Sequence, residues 1–203
     1  MALRAVFFDV GETLVDETRW WSEHACRIGV SPIVLAAALG AAIERGEDHR
    51  AVWGRLGHPV PGEDEEIAYI TDDVYADVRP CLASLRERRY FVGIAGNQGS
   101  RLEDDVRSFQ LDVDLLTSSV GLGVRKPAVE FFERLVATTP FAPQECAYVG
   151  DRVDFDIRPA RAAGLATVHV RRGPWGMLQA GSGEADVRVG ALAELPAALL
   201  SLA

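Results

Sequence analysis

What constrains this chain most is an alternation. Short apolar runs, AVFF (5–8), YFVGIAG (90–96), the weaker DVDLLTS (112–118), CAYVG (146–150) and LATVHV (165–170), are separated by segments of helical period. Runs of this kind read as strands buried on both faces, as in parallel sheets. ADVRV (185–189) adds a candidate edge strand. The segments between them read as helices: 80–89 with Leu82 and Leu85 on one face, 100–109, 127–138 with Phe131, Leu135 and Thr138, and 155–163. Strand and helix in turn specify an α/β, doubly wound parallel sheet. Such sheets take ligands at the carboxyl ends of their strands.

Residues 15–79 break the alternation, with almost no β-run and several helix signals. Ser31-Pro32 places an N-cap before a proline at the first helical position; Leu35, Leu39, Ala42 and Ile43 then share a stripe, and Gly46 stops the helix. A second helix is expected over 18–29 and another from about Glu63 to Tyr75, with the loop HPVPGEDEE (58–66) before it. The chain therefore divides into a sheet domain, 1–14 and 80–203, and a helical insert, 15–79, of roughly half an ordinary domain's size. GSGEAD (181–186) reads as a loop.

With 203 residues, 48% hydrophobic and 25% charged, the chain has the composition of an ordinary soluble domain with enough apolar material for a core. Its net charge is −9 and its Lys and Arg residues are scattered, so nucleic acid is not an expected partner. Cys26, Cys81 and Cys146 lie far apart without zinc or disulfide spacing, which fits a reducing cytoplasm. MALRAVFFDV offers only Ala5 to Phe8 before Asp9, short of a signal peptide's apolar core. No stretch reaches the ~18 to 20 apolar residues of a membrane span.

Polar chemistry stands at three strand ends: Asp9 after AVFF, Asn97 after VGIAG, and Asp151 after AYVG, with Asp154 and Asp156 just beyond. Each has an ordinary reading as a turn or cap residue. Their order at successive strand ends is what points to a site, because parallel neighbours would bring them to one edge, where Lys126 of GVRKP can join them. Carboxylates gathered there repel unless a cation sits among them. Mg²⁺ suits an oxygen-only site that keeps several waters. Metal and Lys126 together would attract a phosphate oxygen.

Asp9-Val10-Gly11-Glu12-Thr13-Leu14, Asn97, Lys126-Pro127 and Gly150-Asp151-Arg152-Val153-Asp154-Phe155-Asp156 resemble the four motifs of the haloacid dehalogenase-like (HAD) hydrolase superfamily. The last, GDxxxxD followed by Ile157, Pro159, Ala160 and Ala163-Gly164, is the most specific, and the helical insert falls where that family carries its cap. The resemblance implies a Rossmann-like core, a Mg²⁺ cofactor held by Asp9, Asp151, Asp156 and the Gly11 carbonyl, and an Asp9 nucleophile that forms a phospho-aspartyl intermediate. It implies further that Lys126 and Asn97 serve catalysis, and that Thr13, Gly96, Asn97 and Lys126 bind the phosphoryl group.

Two positions depart from the family pattern. Family phosphatases read DxD in the first motif, the second Asp being the general acid, and here that position is Gly11; the Ser or Thr that usually precedes the motif Asn is Gly96. Losing a positioned acid removes ~10² to 10⁴ in rate. The sequence thus predicts impaired acid catalysis, a turnover that falls as the leaving group becomes more basic, and a gain of ~10²-fold on restoring Asp at position 11. Glu12, Asp16, or His49 and Arg50 from the insert are the possible substitutes. Trp20, Trp21 and Trp175 read as anchors between insert and core or as a substrate wall, His169 as a hydrogen-bonded core residue, and His24 and His58 have no assigned role.

The expected function is Mg²⁺-dependent hydrolysis of a small phosphorylated metabolite by a cytoplasmic monomer or homodimer. Two alternatives remain open: displacement at a C–X bond as in dehalogenases, where halide needs no proton, and a non-catalytic module that binds a phospholigand. Family dehalogenases carry an aromatic residue at the position of Gly11 and need no metal, so Asp151 and Asp156 count against the first.

Overall fold

A computed structural model of the chain describes residues 2–62 and 67–202. Its strands are β1 (Ala5–Phe8), β2 (Phe91–Gly96), β3 (Leu115–Ser118), β4 (Cys146–Gly150), β5 (Ala166–Val170) and β6 (Val187–Val189). They form one sheet in the order β3-β2-β1-β4-β5-β6, every neighbouring pair parallel. The chain winds outward from β1 through β2 to β3, then restarts on the other side at β4. The boundary between β1 and β4 is therefore the switch point at which open α/β sheets bind ligands.

Burial on both faces explains why AVFF carries no polar alternation. Val6 and Phe8 point into one core cluster while Ala5 and Phe7 point into the other. The first face is covered by α4 (Val78–Glu87) and α5 (Ser100–Ser108), through Val78, Cys81, Leu82, Leu85 and Val106. The second is covered by α6 (Ser119–Leu122), α7 (Val129–Ala137) and α8 (Arg158–Ala162), through Leu122, Phe131, Phe132, Leu135, Val136 and Ala160. Each large apolar side chain fully buried in this way stabilises the fold by about 1.5 to 3 kcal/mol.

Above the switch point lies a helical layer of α1 (Thr18–Arg27), α2 (Pro32–Glu44) and α3 (Ala51–Arg55). It has a small core of its own: Ala25, Leu35, Leu39, Ala42, Ile43, Val52 and Trp53, joined by Trp175 from α9 (Gly173–Leu178) of the sheet domain. α2 begins on Pro32 and ends where Gly46, at φ 64°, donates to the Ile43 carbonyl. The two connections into this layer run side by side, with Val15 bridged to Val74. Among the described residues no single helix is long and apolar enough to cross a membrane.

Several elements differ from the sequence reading. Of the helix expected over 63–75, residues 63–66 lie outside the described residues, and 67–75 hold only a 3₁₀ turn, Thr71–Asp73. Here Ile67 and Tyr69 are buried while Ile70 is exposed, an alternation of extended chain, and Asp73 accepts from Ile70 N at 2.9 Å instead of continuing a helix. Helix α3, by contrast, had no caps or period strong enough to announce it. The helix expected over 155–163 opens with a π-helical turn, Val153–Ile157, before α8. GSGEAD holds a 3₁₀ turn, Ser182–Glu184.

Candidate active site

One residue past β1, Asp9 stays in strand register because its N–H donates to the Val149 carbonyl at 2.9 Å. Its carboxylate meets Lys126: Nζ lies 2.7 Å from Asp9 Oδ1, 2.5 Å from Asp156 Oδ1 and 3.1 Å from the Tyr148 hydroxyl. Tyr148 in turn donates to the Ala95 carbonyl at 2.6 Å, tying the ammonium site to β2 and β4. Asp9, Lys126, Asp151 and Asp156 are all buried. Asp9, Asp151 and Asp156 each bring a carboxylate oxygen within 4.8 Å of the others.

Three buried carboxylates facing one ammonium leave an excess of negative charge. Burial pushes the Asp151 carboxyl well above the usual range, and the charges of Asp156 and Asp9 push it further. Burial carries Asp156 up to about 6 against the pull of Lys126. Burial alone would lower Lys126; Asp156 and Asp9 outweigh it and hold the ammonium protonated. An oxygen-only, over-negative donor set of this kind fits a hard divalent cation, which relieves the repulsion that burial leaves unscreened.

The remaining predicted residues fall around this cluster. Asn97 spends its side chain on the Lys126 backbone, Nδ2 donating to O at 2.9 Å and Oδ1 accepting from N at 2.8 Å. The contact seen for Asn97 is thus one that positions Lys126, where the resemblance implied a group acting on substrate. Asp156 Oδ2 accepts from Arg152 N at 3.0 Å, and His169 Nε2 lies 2.9 Å from the Asp151 carbonyl, so the segment that follows β4 is pinned from behind. Thr13 is fully buried, yet its Oγ1 has no hydrogen-bond partner among the described residues.

Neither glycine leaves an empty place. A Cβ at Gly96 would lie 2.7 Å from Asp9 Oδ1 and would overlap the Gln98 amide, whose buried Oε1 has no partner. A Cβ at Gly11 would lie 2.5 Å from Glu17 Oε1 and 2.9 Å from Glu17 Cδ. Glu17 accepts from the Tyr69 hydroxyl at 2.5 Å. Burial pushes its carboxyl up to about 6, against the Tyr69 hydrogen bond and with the help of the Asp9 charge.

The acids anticipated from sequence are engaged elsewhere. Glu12, at φ 52°, turns against Gly173 and accepts from the Tyr75 hydroxyl at 2.7 Å. Burial and the Glu17 charge push it up to about 8. Asp16 Oδ1 accepts from Thr18 N at 2.8 Å, a local turn just before α1. Arg50 is exposed, and His49 lies 3.4 Å from Arg152 Nη1 and edge-on to Trp175, with burial lowering it to about 4.

Trp21 approaches Trp20 at 4.9 Å, Trp53 at 6.2 Å and Trp175 at 6.5 Å, an aromatic seam that joins α1, α3 and α9. The Arg152 guanidinium closes it, 3.9 Å from the Phe155 ring centroid and 4.5 Å from that of Trp175. Sequence reasoning missed Glu17, Tyr69, Gln98 and Tyr148. Of these only Tyr148 had a signal, a hydroxyl inside an otherwise apolar strand three residues before Asp151.

The family model for haloacid dehalogenase-like hydrolases matches residues 3–164. A glyceraldehyde 3-phosphate phosphatase of Methanopyrus kandleri is 34% identical over 116 residues, 55% of this chain and 48% of that protein. A phosphoserine phosphatase of Thermus thermophilus is 32% identical over 129 residues, 60% of this chain and 49% of that protein. The chain spans about half the length of these curated relatives. In fold it is similar to the HAD hydrolase YfnB of Bacillus subtilis, solved bound to magnesium, with a TM-score of 0.72, 18% identity, and 98% and 99% of the two chains covered.

Proposed function

The chain belongs to the haloacid dehalogenase-like hydrolases, and from that premise we propose that it hydrolyses a small phosphate monoester through the Asp9 carboxylate. The observation that carries this reading is the buried contact of Lys126 with Asp9 and Asp156 at the switch point of the sheet, beside Asp151. The names of two relatives, for glyceraldehyde 3-phosphate and for phosphoserine, support the substrate class.

Asp9 attacks phosphorus in line and forms an acyl phosphate, which water then hydrolyses. Lys126 fixes the attacking carboxylate through its contact with Asp9 Oδ1, and its charge opposes that on the phosphoryl oxygens. Asn97 acts by holding the Lys126 loop, and the orphan Thr13 hydroxyl with the backbone at Gly96 receives the phosphoryl group. Asp9, Asp151, Asp156 and the Gly11 carbonyl are the groups that would hold Mg²⁺, which when bound supplies further neutralisation of phosphoryl charge. Residues 15–79 act as the cap that excludes water. The retained Asp151 and Asp156 weigh against C–X displacement, because a departing halide needs neither.

The test is phosphate release from glyceraldehyde 3-phosphate, phosphoserine and 4-nitrophenyl phosphate, by wild type and Asp9→Asn, with Mg²⁺ or with chelator. Release in Mg²⁺ that disappears in chelator and in Asp9→Asn is the expected result. Halide release from 2-haloacids in chelator, without phosphatase activity, would replace this reading with the other.

A further inference from the structure

The space a side chain at position 11 would use is taken by a carboxyl group from another element. A Cβ on Gly11 would meet Glu17 Oε1 at 2.5 Å, Cδ at 2.9 Å and Oε2 at 3.3 Å, so all three contacts are to the same carboxyl group. That group is fixed. The Glu17 backbone forms the start of α1, its carbonyl accepts from Trp21 N at 2.9 Å, and Tyr69 holds its Oε1.

Neither neighbouring acid takes this place: the nearest atoms to a Cβ on Gly11 all belong to Glu17, while Glu12 turns to Gly173 and Tyr75, and Asp16 accepts from Thr18 N. We propose that Glu17 is the general acid–base of the hydrolysis, reaching from the start of α1 into the place that Gly11 leaves open. The inference rests on the phosphatase reading above. In the first step the Asp9 oxygen–phosphorus bond forms, the bond from phosphorus to the leaving oxygen breaks, and the Glu17 carboxyl proton passes to that oxygen to give a free alcohol. In the second, Glu17 carboxylate takes a proton from water as the water oxygen bonds to phosphorus and the Asp9–phosphorus link breaks. Phosphate leaves and both carboxyl groups return to their starting states.

The experiment measures first-turnover release of the leaving group from 4-nitrophenyl phosphate and from glyceraldehyde 3-phosphate, in Mg²⁺, for wild type, Glu17→Gln and the double variant Gly11→Asp with Glu17→Gly. Glu17→Gln should lose about 10² to 10⁴ on the alkyl ester. Its loss should be less than about tenfold on the aryl ester, whose phenolate leaves without a proton. The double variant should recover most of the alkyl rate, because the aspartate then fills the vacated space. A merely structural Glu17 would lower both rates together, and equal losses, or full alkyl activity in Glu17→Gln, overturn the proposal. Should Glu17→Gln fail to fold, Tyr69→Phe is read the same way, with a larger loss on the alkyl than on the aryl ester expected. A wild type that releases no nitrophenolate marks failure of the phosphatase reading, and the inference falls with it.

Discussion

The rim of the sheet and the helical layer above it furnish the same crevice by different means. At the rim, polar groups are set by strand register: Asp9 is hydrogen-bonded one residue past β1, and Asp151 follows Gly150, the last residue of β4. From the layer, Glu17 arrives on the start of a helix and is steadied by Tyr69, which lies far away in an extended segment. The rim is fixed by backbone; the layer's contribution depends on how the aromatic seam of Trp21, Trp53 and Trp175 seats α1 on the sheet. A carboxyl group lost from the first region can therefore be supplied by the second without any change in motif spacing.

Changes at the rim should have the largest effects. Asp9→Asn removes the nucleophile, and steady-state turnover should drop by at least ~10⁴, measured as phosphate release. Lys126→Ala leaves Asp9 and Asp156 facing each other without a cation, and urea unfolding in chelator should show a loss of about 3 to 5 kcal/mol. Little change in stability would mean that the rim is not held by its ion pairs.

Gly11→Asp probes the junction of the two regions. Sequence alone predicts a gain in rate from it; the occupied space predicts no gain, because the new carboxylate can only displace the Glu17 carboxyl already there. A rate that rises would show that the acid's place was open.

This difference marks the limit of what the chain discloses in one dimension. The six strands and the meeting of Asp9, Lys126, Asp151 and Asp156 are readable because apolar runs and strand ends are local signals. The occupants of the Gly11 and Gly96 places are not, because Glu17 and Gln98 get there through side-chain reach and helix seating, which leave no period in the sequence. Asp16 and Glu12 sit nearer to Gly11 along the chain than Glu17 does, yet Asp16 accepts from Thr18 N and Glu12, on a left-handed backbone, turns to Tyr75.

Smaller effects sharpen the contrast from the side of the sheet. The Glu12 carboxyl titrates at about 8 when folded against 4.5 as a free side chain, so the folded state holds the extra proton and loses stability as pH rises between those values. Glu12→Gln, which keeps an acceptor for Tyr75, should remove that slope, gaining on the order of 1 to 2 kcal/mol over wild type by the alkaline end in thermal melts with chelator. Smallest of all, Gln98→Ala should raise KM about tenfold with little change in kcat if the amide near Gly96 helps to bind the phosphoryl group, a shift of ~1.4 kcal/mol. An unchanged KM would leave Gln98 as filler.

The account rests on Asp9 becoming covalently phosphorylated. Acid quenching of the wild type during turnover of 4-nitrophenyl phosphate, followed by intact-mass and peptide analysis, measures this directly. A single phosphoryl group on the peptide that contains Asp9, absent from Asp9→Asn, is the predicted result. Turnover with no adduct, or with the phosphoryl group on another residue, would contradict it.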